Sequence, residues 1–182
     1  MARSARRLVP GPAAEPTPRG SEPRTWQGII YRPCQAGARE VRRLFDFAGA
    51  WTPAPTPGEI AWEAVAEGRV VGGVLLEVEG AHGFLHGPVV IDPPGEAEPL
   101  GVAAQLVGPI LEAAARQPLN TLYARPQGLD RLWVRFGFVP VPEATLPASL
   151  RGRRGTGLHM WRRPGTYSIA VPEAEPARPR GR

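Results

Sequence analysis

Phe84-Leu85-His86-Gly87-Pro88-Val89-Val90-Ile91-Asp92-Pro93-Pro94-Gly95-Glu96-Ala97-Glu98-Pro99-Leu100-Gly101-Val102-Ala103 runs from an apolar stretch, through a loop of Pro, Gly and Glu, into the start of a helix. Gly83 to Ile91 reads as a strand and Asp92 to Pro99 as the loop. Leu100 to Gln117 carries Val102, Leu106, Ile110 and Ala113 on one helical face, and Pro99 suits a first helical turn. Pro109 removes the bond to Gln105 and predicts a bend.

The segments on either side fix what this junction joins. Upstream, Ile60 to Glu67 alternates, with Ile60, Trp62, Ala64 and Ala66 on one face. Glu67-Gly68-Arg69 turns into Val70 to Val78, whose nearly continuous apolar run suits a strand covered on both faces, and Gly80 marks the next turn. Three consecutive strands form a meander. Before them, Gln27 to Arg32 reads as a strand and Gly37 to Ala48 as a helix with Val41, Leu44, Phe45 and Ala48 in phase, while Trp51 to Gly58 holds three prolines and reads as a loop. Downstream come a strand at Thr121 to Ala124, a helix at Gly128 to Phe136, and strands at Phe138 to Val141 and Gly157 to Trp161. The order β-α-β-β-β-α-β-α-β-β predicts an α/β (α+β) domain with a mixed, mostly antiparallel sheet of six to seven strands and helices on both faces.

Composition narrows the function. The 182 residues are 42% hydrophobic and 21% charged, with one Cys, three His and a net charge of +5. No apolar run is long enough to span a bilayer, and nothing resembles a disulfide framework. The His and Cys residues have no ligand spacing, so no metal is expected, and no Gly-Lys-Ser/Thr phosphate loop occurs. Every one of the 22 cationic residues is Arg, which signals compositional bias and weakens any argument from Arg at a single position. Four of the five excess charges lie in residues 1–25 and 164–182, both rich in Pro and read as disordered tails. The domain between them, 26–163, is nearly neutral, so nucleic-acid binding through the tails is the minor alternative. Leu8-Val9 is cut short by Pro10-Gly11, too short for a signal peptide, which predicts a cytoplasmic protein with no membrane partner. Cys34 then reads as a small buried hydrophobe rather than a nucleophile.

Four local features carry a resemblance to the GNAT family of N-acetyltransferases. They are Ile30-Tyr31-Arg32-Pro33 before a helix, Gly68 to Gly73 between meander strands, Ile91-Asp92-Pro93 followed by Gly101-Val102-Ala103, and Leu132 to Phe138 ending Phe136-Gly137-Phe138. The resemblance implies acetyl transfer from acetyl-CoA to an amine of a small-molecule or amino-acid-like substrate, by direct attack, with a homodimer left open. It implies that the cofactor lies along Val90 and Ile91 and against the amides of Gly101, Val102 and Ala103. A helix start has unpaired N–H groups and a positive dipole end, which attract a diphosphate whatever the family.

The departures are specific. Glu96 and Glu98 stand where the family pattern is basic or neutral, and the loop is longer by about two residues. They would equally complement an ordinary helix start that binds nothing. Trp133 occupies the place of the family's Tyr acid; indole has no acidic proton to give, so Trp133 reads as a packing residue or a substrate-pocket wall. Tyr123 is the nearest substitute hydroxyl. His86, on the strand before the loop, is the candidate base, with Glu63 and Glu77 as alternatives; a structural His is the plainer reading. His82 reads as a turn residue and His159 as a sheet residue. Arg153, in the run Arg151-Gly152-Arg153-Arg154-Gly155, is a candidate for holding a carboxylate or phosphate, against a solvated loop. The missing Asn and Tyr of the family leave a catalytically degenerate, ligand- or protein-binding domain as the rival.

Overall fold

Period-two alternation hands successive side chains of a strand to opposite layers, and both layers here are apolar enough to recruit helices. The structure is a computed structural model, and it describes residues 22–34, 38–56, 58–153 and 159–164. Almost all of both predicted tails, and residues 154–158 of the Arg-rich run, lie outside the described residues. The elements are β1 (Arg24–Trp26), β2 (Ile29–Pro33), α1 (Arg39–Phe47), β3 (Ile60–Ala66), β4 (Arg69–Glu79), β5 (His82–Val90), α2 (Pro99–Ala114), β6 (Thr121–Ala124), α3 (Asp130–Arg135), β7 (Val139–Pro142) and β8 (His159–Pro164).

They form one eight-stranded sheet in the order β1-β2-β3-β4-β5-β6-β8-β7. All neighbours are antiparallel except β5 and β6. The fold class stands, with eight strands in place of six to seven. The extra strand is β1, which takes Arg24 and Thr25 out of the expected tail by pairing them with Tyr31 and Ile30. Three residues give no measurable period, so this strand escapes a reading of the sequence. Helix α2 stops at Ala114 instead of Gln117: Arg116 and Gln117 close short turns onto Ala113 and Ala114, as the residue before Pro118 resists helical geometry. The helix runs on through Pro109 as one element.

On one face, Val41, Leu44 and Phe45 of α1 pack on Ala61, Leu75 and Val89. The opposite face is larger, with Trp62, Val74, Leu76 and Leu85 buried under Val102, Leu106 and Ile110 of α2 and Leu132 of α3. Full burial of one such side chain contributes on the order of 1.5–3 kcal/mol. Among the described residues, no helix is long and apolar enough to cross a membrane.

Candidate active site

The parallel pair is short. His82–Leu85 of β5 pair with Thr121–Ala124 of β6, but β5 continues to Val90 while β6 ends. The far half of β5 therefore has no β6 partner on that side. A bulge re-aims it, since Gly73 faces Val89 and Leu75 faces His86, leaving Gly87 and Pro88 against Val74 alone. Gly87 has φ +86°, and a Cβ there would lie 2.7 Å from the Phe45 ring, so only glycine fits.

A cleft of about 460 Å³ opens where the strands part, lined among others by Pro88, Val89, Val90, Leu100, Ala103 and Leu129. Two of the five expected cofactor residues, Val90 and Ala103, are on its wall. Ile91 is half-buried beside it, its N–H bonded to the Val71 carbonyl at 2.8 Å, and Val102 points into the core. Gly101 turns toward Trp26 instead, where a Cβ would come within 2.9 Å of the indole. Since the Val102 N–H bonds to the Glu98 carbonyl at 3.0 Å, the unpaired amides of the helix start lie earlier, at Leu100 and Gly101. Glu96 and Glu98 are exposed, and Glu98 makes no side-chain cap.

Around the corner, on the α1 face, the same strands bury polar groups. Glu77 and Phe84 sit directly opposite each other on β4 and β5, and Phe84 opposite Tyr123 on β6, so these side chains share a face. His86 is fully buried, its Nε2 2.9 Å from a Glu77 carboxylate oxygen and its Nδ1 without a partner. Burial pushes the His86 imidazole below its ordinary pKa, more strongly than Glu77 pulls it up. The hydrogen bond from His86, with help from Arg153, holds Glu77 below the usual carboxylate range despite desolvation. The pair is thus neutral imidazole and carboxylate: Nε2–H donates to Glu77, and Nδ1 keeps a free lone pair.

Arg153 donates to the other Glu77 oxygen at 2.6 Å and also pairs with Glu79. Burial alone would lower its pKa, but the two carboxylates outweigh this and hold it above the ordinary value. Arg153 is therefore turned inward, while Arg151 and Gly152 before it stay exposed. Leu146 and Leu150 cover Phe84 and Tyr123, and Arg151 Nε donates to the Leu146 carbonyl at 2.8 Å. Trp51 closes the other side, its ring 5.5 Å from that of His86. Its loop is fastened to α1 by Arg42, which bonds the Pro53 carbonyl and Glu59.

The fold brings Tyr123, His86 and Arg153 to this one cluster but separates the remaining candidates. Trp133 is fully buried in the core of the opposite face, its ring 5.2 Å from Phe138 and its N–H 3.4 Å from the Pro126 carbonyl, surroundings that suit packing. Glu63 pairs with Arg32 at 2.8 Å, away from this cluster. Burial, with Glu63 nearby, pushes the Cys34 thiol far up, which disfavours the thiolate a nucleophile would need. His82 is half-buried beside Tyr123, and the side chain of His159 lies outside the described residues. Sequence reasoning misses Trp51, Phe84 and Arg125. Arg125 is 3% exposed, its guanidinium 4.6 Å from the Trp51 ring centre and 5.5 Å from that of Phe84. The available signal is parity, because Arg125 follows Tyr123 by two along the same strand direction. Among the described residues no group of His, Cys, Asp and Glu could hold a metal ion.

A mixed sheet with one parallel pair that splits at its far end, bulged beside the split and followed by a helix start, can be compared with solved structures. One from Desulfovibrio desulfuricans, assigned to the GNAT family of acetyltransferases, matches with TM-score 0.53 and 16% identity over 75% of this chain and 98% of that one. The chain has the GNAT fold. An acyl-CoA N-acyltransferase from Pseudomonas aeruginosa matches with TM-score 0.53 and 16% identity, covering 74% and 99%. The N-acetylglutamate synthase of Neisseria gonorrhoeae, in complex with coenzyme A and L-arginine, matches with TM-score 0.56 and 16% identity over 75% of this chain. This GNAT-fold chain spans only 34% of that synthase's length. No protein-family model and no curated protein sequence matches the chain.

Proposed function

We propose that the protein is an acetyl-CoA-dependent N-acetyltransferase acting on a small amine, with His86 as the base. The observation that carries this reading is the buried Glu77–His86 pair with its free Nδ1, one strand position from the split between β5 and β6. The cleft wall and the unpaired edge of β5 suit an amide-bearing pantetheine arm, which can bond to the strand as a further strand would. The amides of Leu100 and Gly101 suit the diphosphate.

Bound acetyl-CoA supplies an acetyl thioester. In this reading the acceptor amine attacks the carbonyl carbon, the C–S bond breaks, and the proton lost by nitrogen passes to His86 Nδ1. Glu77 fixes the tautomer and stabilises the imidazolium that forms, a positioning role of the kind found in triads. Arg153 keeps Glu77 ionised. Tyr123 forms a wall beside Phe84, and the proton on Nδ1 is available to the departing thiolate.

Titration with acetyl-CoA followed by thermal shift or calorimetry, and CoA release across an amine panel, test the proposal. Binding with turnover that falls about 100-fold or more in His86→Gln is the expected result. No binding at millimolar acetyl-CoA overturns it, and binding without turnover of any amine selects a degenerate, ligand-binding domain.

A further inference from the structure

Arg125 is buried between Trp51 and Phe84 without a task in the chemistry above. Its Nε and Nη2 are shielded from solvent and have no hydrogen-bond partner. A guanidinium carries five N–H donors and no means of neutralising itself near pH 7, so the three unmet donors on these two buried nitrogens cost free energy unless something accepts them. Burial lowers its pKa to about 10, still charged at neutrality. The nearest counter-charge, Glu77, favours the charged guanidinium through space but accepts nothing from its Nε or Nη2. Both oxygens of Glu77 are engaged, one by His86 and one by Arg153. Glu79, the other carboxylate of the cluster, is paired with Arg153. The two rings beside Arg125 hold its position by cation–π contact but accept no hydrogen bond of carboxylate strength.

The cluster thus has two guanidinium groups and two carboxylates, neither of which accepts from Arg125 Nε or Nη2. We propose that Arg125 is the acceptor-binding residue and that the acceptor is an amine bearing a carboxylate, gripped through Nε and Nη2. The inference rests on the acetyltransferase reading and adds the substrate class to it. Nε and one Nη lie on the same edge of a guanidinium, the edge that matches the two oxygens of a carboxylate. Trp51, in a segment without regular secondary structure, lies against the guanidinium with its ring centre 4.6 Å from Cζ. A carboxylate held there would lie beside the same two rings, Trp51 and Phe84, that flank His86.

Two measurements test this independently. The first is CoA release with each of the common amino acids and with its carboxamide, which has the same side chain without the negative charge. The amide's amine is the less basic and more available near pH 7, so chemistry alone would favour the amide. A preference of about tenfold or more for one or more acids, lost in Arg125→Gln and Arg125→Lys through KM with kcat less affected, is the expected outcome. The second uses the wild-type chain and needs no turnover: the Arg125 Nε–H resonance, identified by its absence in Arg125→Lys, is followed during titration with acetate and with the amino-acid panel. A saturable shift with anions and none with amides supports the inference. Anion-dependent shifts with no CoA release from any amine would remove the acetyltransferase reading while leaving an anion site. Amides turned over as fast as acids would keep that reading and overturn the carboxylate assignment, as would an Nε–H resonance indifferent to every anion.

Discussion

Leu76 and Glu77 are neighbours on β4, and Leu85 and His86 on β5, yet each pair divides between two different interiors. Leu76 and Leu85 join the α2 face, where Trp133, Leu106 and Ile110 make a dry core of ordinary packing. Glu77 and His86 join the α1 face, beyond the reach of α1 itself, where the cover is two loops and the contents are charged. A helix can cover a sheet only where its ridges meet apolar side chains. The stretch that α1 leaves uncovered is therefore free to hold groups that must pair with one another. One face of the sheet holds a dry core and the other, past α1, a charged cluster, and on the proposed reading substitutions one residue apart should separate stability from turnover.

The largest effect is expected where both interiors depend on one backbone atom. Gly87→Ala places a methyl against Phe45 and the Gly73 carbonyl at a φ that side chains avoid, at a cost of about 2–4 kcal/mol. Denaturant unfolding should show this loss together with loss of turnover. A variant with wild-type stability would mean that the bulge does not fix the split.

The adjacent pair Leu76→Ala and Glu77→Gln makes the sharpest contrast. Leu76→Ala should cost about 2–5 kcal/mol of stability and leave kcat within a few-fold, measured well below its melting temperature. Glu77→Gln should cut kcat by about 100-fold or more, through the lost support for imidazolium, and destabilise by only about 1–3 kcal/mol. Equal effects of the two substitutions on kcat would erase the distinction between the faces. Trp133→Phe and Trp51→Phe repeat the comparison more gently: the first lowers the melting temperature and spares KM for the amine, the second does the reverse.

The pH dependence follows from the same cluster. His86 is neutral in the fold, with its pKa depressed below 6.5. Between 6.5 and that lower value the unfolded chain binds a proton that the folded chain does not. The stability tied to His86 is therefore fully present above about 6.5 and is lost as pH falls through the folded value. Activity should track the same group, with kcat/KM expressed per unprotonated amine level near neutrality and falling only on the acid side. In His86→Gln the stability profile flattens over that acid limb. A wild-type limb centred above the ordinary imidazole pKa would assign the base elsewhere.

Much of this fold is legible in the sequence because period decides it: the meander, α1 and α2 all carry a clear repeat, and the short apolar run of β6 has the bounds that its flanking turns suggest. Pairing is what a sequence does not carry. His86 and Glu77 are each visible as candidate bases, but nothing in a linear chain says that residues nine apart face each other across a hairpin. The same holds for Arg153, 76 residues from the carboxylate it binds. Arg125 is hidden for a different reason. In a chain whose every cation is Arg, one more Arg carries no local signal until its burial is known. Gly101 stands out in the sequence and invites an explanation by ligand approach, whereas its close neighbour is the Trp26 indole of a strand too short to detect.

The smallest expected effect bears on the acidic loop. Glu96 and Glu98 are exposed at the start of α2, so water and salt screen most of what they could do to a bound diphosphate. Their placement explains how a loop with two acids can still accept one: the side chains point to solvent while the first-turn amides stay unpaired. Glu98→Gln should then leave stability unchanged and tighten acetyl-CoA binding by about twofold at low salt, with the gain shrinking as ionic strength rises. Calorimetry at two salt concentrations measures it. Weaker binding in Glu98→Gln would mean that the carboxylate itself contacts the cofactor, and the diphosphate would then have to lie away from the helix start.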